Sequence, residues 1–183
     1  GGLHATAVGE GATADDSDAT SLGRWARARA GGSTALGSGV VIPSTAVNAT
    51  AVGYSSDASG VSATAIGHDA TASATQSAAF GYGANAGSSN SCALGSGART
   101  LSNAKSVAIG YNAQTSKPQQ IMLGGTGNDA PHVIQGYRSI APDDGDLGAR
   151  QVCLYVDEAG NSLKIKVKYS DGTTVKIGTV ALV

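Results

Sequence analysis

SVAIGYNA, residues 106–113, has near copies along the whole first part of the chain: ATAVGEGA at 5–12, ATAIGHDA at 63–70 and SAAFGYGA at 77–84. Aligned on the shared glycine, the copies form a column of nine: Gly9, Gly23, Gly37, Gly53, Gly67, Gly81, Gly95, Gly110 and Gly124. Successive glycines are 14, 14, 16, 14, 14, 14, 15 and 14 residues apart. A fixed period of this kind marks a stacked array in which each copy is one structural unit.

Positions within a unit are counted from that glycine. Position −1 is always bulky and apolar: Val8, Leu22, Leu36, Val52, Ile66, Phe80, Leu94, Ile109 and Leu123. Position −2 is small in every unit except the last, where Met122 stands. After the glycine, +3 and +5 are often alanine (Ala12 and Ala14, Ala70 and Ala72, Ala84 and Ala86), with a polar residue at +4. Alternation at period two argues a short strand with one small face and one wet face. Two helices do not fit into 14 residues rich in Gly, Ser, Thr and Asn, which are poor helix formers. Each unit therefore reads as one coil of a parallel β-roll with a strand on either side of a glycine corner. Nine coils at about 4.8 Å stack to roughly 43 Å.

Composition bears on assembly. The 183 residues include 27 glycines, one Phe and one Trp, and much of the 41% hydrophobic content is alanine. Alanine buries little apolar area, so a lone chain offsets its ordering entropy poorly with a conventional core. The space between two short strands suits small side chains at −2, +3 and +5. The −1 column is expected on the outer face, where it makes an apolar strip nine coils long. Self-association about a three-fold axis buries such a strip. Bulky residues inside, with alanines at the interface, satisfy the same alternation. Net charge is −1 with no basic run, and no apolar stretch reaches the length of a membrane span, so neither nucleic acid nor membrane insertion is expected. Cys92 and Cys153 lack a partner spacing and read as small buried hydrophobes.

The pattern Ser-Val-Ala-Ile-Gly, two variable residues and Ala, repeated nine times over about residues 3–125, resembles the head repeats of trimeric autotransporter adhesins, the YadA-like family, which also occur in phage tail fibres. The resemblance implies a homotrimeric left-handed parallel β-roll. The extra residues in SGVVIPSTAVNATAVG and SGARTLSNAKSVAIG fit corner loops. In the adhesin family, repeats of Asn-Ser-Val-Ala-Ile-Gly with a later Ser bind collagen. The nearest copy here has Lys105 in place of that Asn and Ala113 near the Ser position.

The repeat ends at IMLGG. A β-roll over 1–125, a neck over 126–148 and a C-terminal tip over 149–183 are expected. The neck holds two of the four prolines, Pro131 and Pro142. In the tip, QVCLYV, SLKIKVKY and TVKIGTVAL read as three strands of an antiparallel meander, with Asp171-Gly172 as a hairpin signal. Leu163, Ile165 and Val167 alternate with Lys164, Lys166 and Lys168, which predicts an apolar face and a charged one. The chain starts in mid-repeat without a Met, so an N-terminal attachment region is expected upstream.

Motifs for catalysis are absent: there is no P-loop and no nucleophile elbow, and no catalytic residue, cofactor or metal is assigned. GGTGND at 124–129 matches the first six letters of a calcium nonapeptide that works only in tandem, with no second copy following, and PDDGD at 142–146 reads as a turn. Among these, Asp143, Asp144 and Asp146 are the carboxylates to inspect for a groove between chains. A threonine column at −3 (Thr6, Thr20, Thr34, Thr50, Thr64) shares the parity of the −1 residues and does not read as an ice-binding face.

The variable corner at +1 is the candidate contact row: Glu10, Arg24, Ser38, Tyr54, His68, Tyr82, Ser96 and Tyr111. Stacking aligns these outward, and Arg and Tyr are favoured contact residues. Lys164, Lys166, Lys168 and Lys176 are a second candidate, for an anionic polysaccharide. Asp15 and Arg29, both at +6, are expected to stand one rung apart.

The sequence is thus expected to be the distal part of a trimeric phage tail fibre located on the virion. It would contact a host cell-surface polysaccharide or protein receptor and join other fibre or baseplate proteins through its N-terminal side. The alternative is the head of a bacterial trimeric autotransporter adhesin on a cell surface, binding a host surface or matrix ligand.

Overall fold

The structure, a computed structural model, describes residues 1–124, 152–157, 162–168 and 175–181. It divides into two compact units, 1–131 and 132–183. All secondary structure among the described residues is β. In the first unit, the −3 to −1 residues of the nine repeats form nine strands, from Thr6–Val8 to Ile121–Leu123. They pair in parallel, each with the next, in one nine-stranded sheet. Thr64 pairs Ala78, Ala65 pairs Ala79 and Ile66 pairs Phe80, so like positions face like positions on every rung. The opposite wall is built from two-residue strands at +4 and +5, such as Arg27–Ala28 and Thr71–Ala72, again parallel. This is the coil the alternation predicts.

That second wall splits into two three-stranded sheets, Thr13–Ala14 to Val41–Ile42 and Asp57–Ala58 to Asn85–Ala86. The cause is local. At +6 the Asp15 and Arg29 amides donate to Ala28 and Ile42 carbonyls of the next rung at 3.0 and 3.1 Å. Pro43 occupies +6 in the third coil and has no N–H to give. The ladder breaks there, in the unit that also carries two extra residues.

The interior is small and closed. Alanines at −2, +3 and +5, such as Ala65, Ala70 and Ala72, are fully buried, as are the larger Val40 and Ile42 of the widened third coil. Buried hydroxyls are satisfied within the coil: Ser33 and Ser77 donate to the carbonyls of Ala30 and Ala74, each at 2.6 Å. Where the seventh coil gains one residue, Asn103 Nδ2 donates to the Thr115 carbonyl at 2.8 Å and ties the insertion to the next rung.

The glycine column has a steric cause. Gly67 has φ +136°, and a Cβ there would meet the Gly81 carbonyl oxygen at 2.4 Å; Gly9, Gly23, Gly37, Gly53, Gly81 and Gly95 repeat the clash with the next glycine. Backbone approaches backbone too closely for any side chain, so this letter does not vary.

In the second unit, Val152–Asp157, Ser162–Lys168 and Val175–Ala181 form a three-stranded antiparallel sheet in chain order. Leu154 pairs Ile165, and Ile165 pairs Gly178. Where the side chains are described, Lys164 is half-buried like its neighbours Leu163 and Ile165. The neck at 126–148, the Asp171-Gly172 turn, GGTGND beyond Gly124, and Asp143, Asp144 and Asp146 lie outside the described residues.

Candidate functional site

The coils turn their first corner in a common way. In most of them the amide at +3 donates back to the carbonyl of the column glycine, as Ala70 does to Gly67 at 3.3 Å. Position +2 is left-handed in each of the first eight coils, with φ between 51° for Ser55 and 70° for Gly39. A left-handed third residue closed by such a bond is the pattern of a type II turn, and it aims the +1 side chain away from the coil. Trp25 adopts this conformation at φ 59°, which is costly for a bulky residue. Its ring lies over Gly11, where a Cβ would stand 2.4 Å from Trp25 Cε3.

Stacking then joins the +1 residues into a continuous row. Arg24 Nε lies 3.2 Å from Glu10 Oε2 at the first two rungs. Further along, Tyr54, His68 and Tyr82 form one aromatic stack, with ring centroids 5.2 and 5.1 Å apart and planes within 11° and 4° of parallel. His68 Nδ1 is 3.3 Å from Asp69 Oδ2. Tyr54, Tyr82 and Tyr111 are 58, 63 and 62% exposed. Ser38 and Ser96 are half-buried. Of the sequence candidates, the structure therefore joins Tyr54, His68 and Tyr82, puts Arg24 and Tyr111 elsewhere on the same row, and leaves the lysines in another unit. Lys176 is exposed; the side chains of Lys166 and Lys168 lie outside the described residues.

The −1 column forms a second surface. Val8, Leu22, Leu36, Ile66, Leu94 and Ile109 are 37 to 54% exposed on the single chain, and Val52, Phe80 and Leu123 are half-buried. All lie on the outer face of the nine-stranded sheet, beside the −3 threonines, of which Thr20, Thr34, Thr50 and Thr64 are half-buried. Cys92 stands in that −3 column. It is half-buried on the outer face rather than enclosed in the coil, and burial pushes its thiol pKa up. The side chain of Cys153 lies outside the described residues.

A third feature had no sequence expectation. Position −5 is left-handed in every coil, carried by His4, Asp18, Gly32, Asn48, Ser62, Gln76, Asn90, Lys105 and Gln119. It makes the second corner and brings His4 Nδ1 to 3.3 Å from Asp18 Oδ1. Its polar residues at a constant offset were the available signal. The stacked pair expected at +6 is present, with Arg29 Nε 4.0 Å from Asp15 Oδ2. No group of three His, Cys, Asp or Glu side chains among the described residues is placed to hold a metal ion.

The family model for the YadA head domain repeat matches residues 1–24, 17–39, 44–70, 58–84, 72–98 and 102–119. Among solved structures, the collagen-binding domain of the Yersinia adhesin YadA aligns with 78% of this chain and 92% of its own, at a TM-score of 0.55 and 22% identity. That likeness is one of fold. No curated protein sequence matches the chain.

Proposed function

The chain belongs to the family of YadA head domain repeats, and on that premise we propose that it is the distal part of a trimeric phage tail fibre, a shaft and tip that hold and contact a host cell surface. The fold is that of an adhesin head. The observation that carries the proposal is the exposed −1 strip from Val8 to Leu123 on an otherwise small, alanine-filled coil. A strip of that length on a free monomer is unfavourable, and three identical strips meeting on one axis remove it from water. Assembly is the source of the missing core. The +1 row then lies along the shaft as the contact surface, and the protein acts by spacing and adhesion rather than catalysis.

The roll through 125, a neck over 126–148 and a tip over 149–183 make up the proposed order. Support for a fibre on a virion comes from the C-terminal unit: its described strands, Val152–Ala181, form a three-stranded antiparallel sheet rather than a helical stalk. Its partners are then the bacterial surface receptor and other fibre or baseplate proteins. The second reading, a bacterial surface adhesin binding a host or matrix ligand, draws on the likeness to the Yersinia domain.

Light scattering down to nanomolar concentration tests the assembly; a persistent mass of three chains is expected, and a stable monomer overturns the fibre. Labelled protein bound to intact bacteria but not to collagen or animal cells supports the virion reading. The reverse pattern overturns it in favour of the bacterial adhesin.

A further inference from the structure

From Tyr54 to Tyr111, the +1 row carries a ring at every rung but one. Tyr54, His68 and Tyr82 fill consecutive rungs, Ser96 is next, and Tyr111 resumes the row. Register holds across the gap: Phe80 pairs Leu94 and Leu94 pairs Ile109. At the corner itself, the Gly97 amide donates to the Tyr82 carbonyl at 2.8 Å and the Asn112 amide to the Ser96 carbonyl at 2.9 Å. The corners carrying Tyr82, Ser96 and Tyr111 are therefore stacked one above another. Where neighbouring rungs both carry rings, the centroids stand 5.1 to 5.2 Å apart. Tyr82 and Tyr111, two rungs apart, are spaced by about 10 Å at the strand repeat.

From this we propose that Tyr82, Ser96 and Tyr111 form a slot that takes one pyranose ring of a bacterial surface polysaccharide. The inference rests on the adhesive reading above and names its ligand. One face of Tyr82 is covered by His68, and the rung on its other side is that of Ser96. A six-membered sugar ring has C–H bonds on both faces and hydroxyls around its edge. Its faces make carbon contacts at about 3.5–4.0 Å with an aromatic wall on either side, which a spacing of two rungs accommodates and a spacing of one does not. Ser96, small and half-buried between the two tyrosine rungs, brings a hydroxyl that suits a polar perimeter. An aromatic side chain from a protein partner would also enter between two rings, but it gains nothing from that hydroxyl. The matching vacancy at Ser38 has Arg24 on one side instead of a ring, and Glu10 already engages that guanidinium. The Ser96 slot is the one with a tyrosine on both neighbouring rungs.

The test fills the vacancy. Ser96→Tyr places at this rung the residue that the same position carries at Tyr54, Tyr82 and Tyr111, so the corner accepts it. Wild-type protein, Ser96→Tyr, Tyr111→Ala and Tyr54→Ala are titrated against immobilised O-polysaccharides and capsular polysaccharides from a bacterial panel, with aromatic peptides and animal glycans alongside. Light scattering and circular dichroism check that each variant keeps the wild-type mass and β content. Binding of wild type to a pyranose-containing polysaccharide, at least tenfold weaker in Ser96→Tyr and Tyr111→Ala and within twofold in Tyr54→Ala, is the expected result. Equal binding by wild type and Ser96→Tyr overturns the slot. So does binding confined to aromatic peptides or to animal glycans. Whole bacteria separate the two levels: if wild type and Ser96→Tyr adhere equally, the slot falls and the adhesive reading stands; if neither adheres, both fall.

Discussion

The imidazole of His68 lies 5.1 Å, centroid to centroid, from the phenol ring of Tyr82, with the two planes 4° apart. The residues are 14 apart in sequence, one rung of the roll, and neither is enclosed by the coil. Their contact is set wholly by the stacking of two corners. A parallel aromatic pair contributes about 0.5–1.5 kcal/mol beyond buried area. A double-mutant cycle with His68→Ala and Tyr82→Ala, read by denaturant unfolding, is expected to give a coupling energy at the lower end of that range, because both rings are solvated. Strict additivity would show that the stack contributes no stability.

Gly67→Ala and Gly83→Ala should differ sharply. Both glycines have positive φ, at +136° and +59°. A Cβ on Gly67 collides with the Gly81 carbonyl, whereas nothing lies within 4 Å of one on Gly83. The left-handed conformation alone costs Gly83→Ala about 1–2 kcal/mol. Gly67→Ala carries about 1–3 kcal/mol of backbone strain with the collision added, and is expected to lower Tm by much more. Equal shifts in a thermal melt would contradict the close approach of the glycine column.

Ala65 and Ile66 are neighbours with opposite duties. Ala65 is fully buried in the coil and Ile66 is 39% exposed on the outer face. Ala65→Leu overpacks the interior and should destabilise the coil by about 1–3 kcal/mol or more. Ile66→Asp should leave the coil's β signal intact and shift the light-scattering mass from three chains toward one. A trimer unaffected by aspartate at this position would remove the −1 strip from the interface.

The Asp15–Arg29 pair spans 4.0 Å and both side chains are substantially exposed. Such pairs contribute about 0–1 kcal/mol. Arg29→Ala should therefore change stability by no more than a few tenths of a kcal/mol, with the small effect shrinking further in salt.

Cys92 carries a pH prediction. Burial raises its thiol pKa in the folded chain, so the folded state binds the proton more tightly than the unfolded one. The resulting stability is fully present below the unfolded thiol's pKa of about 8.5 and is lost as pH rises through the higher folded value. Denaturation midpoints measured between pH 7 and 10 should fall more in wild type than in Cys92→Ala. Alkylation by iodoacetamide at pH 8.5 should be slower in the folded protein than in denaturant.

The sequence alone determined what repeats within a unit: the glycine frame, the alternation that separates Ala65 from Ile66, the parallel register, and the Asp15–Arg29 rung. These were legible because each depends on chemistry within one coil and on a constant period. The candidate row at +1 was legible as positions, since a variable letter beside an invariant one marks an outward side chain. Its arrangement was not. Whether Tyr54, His68 and Tyr82 splay apart or stack depends on the closeness of successive corners and the tilt of their turns, which no single unit encodes. The second corner at −5 escaped for a related reason: Asn48 and Asp18 tolerate left-handed backbone, but Gln76, Lys105 and Gln119 adopt it only because the coil must close there. The break in the second wall needed Pro43 to be set against the amide bonds made by Asp15 and Arg29 in the coils before it. The common cause is that solenoid contacts join residues about 14 apart, so the pattern of one unit is written in the chain while the meeting of two units is decided only when they stack.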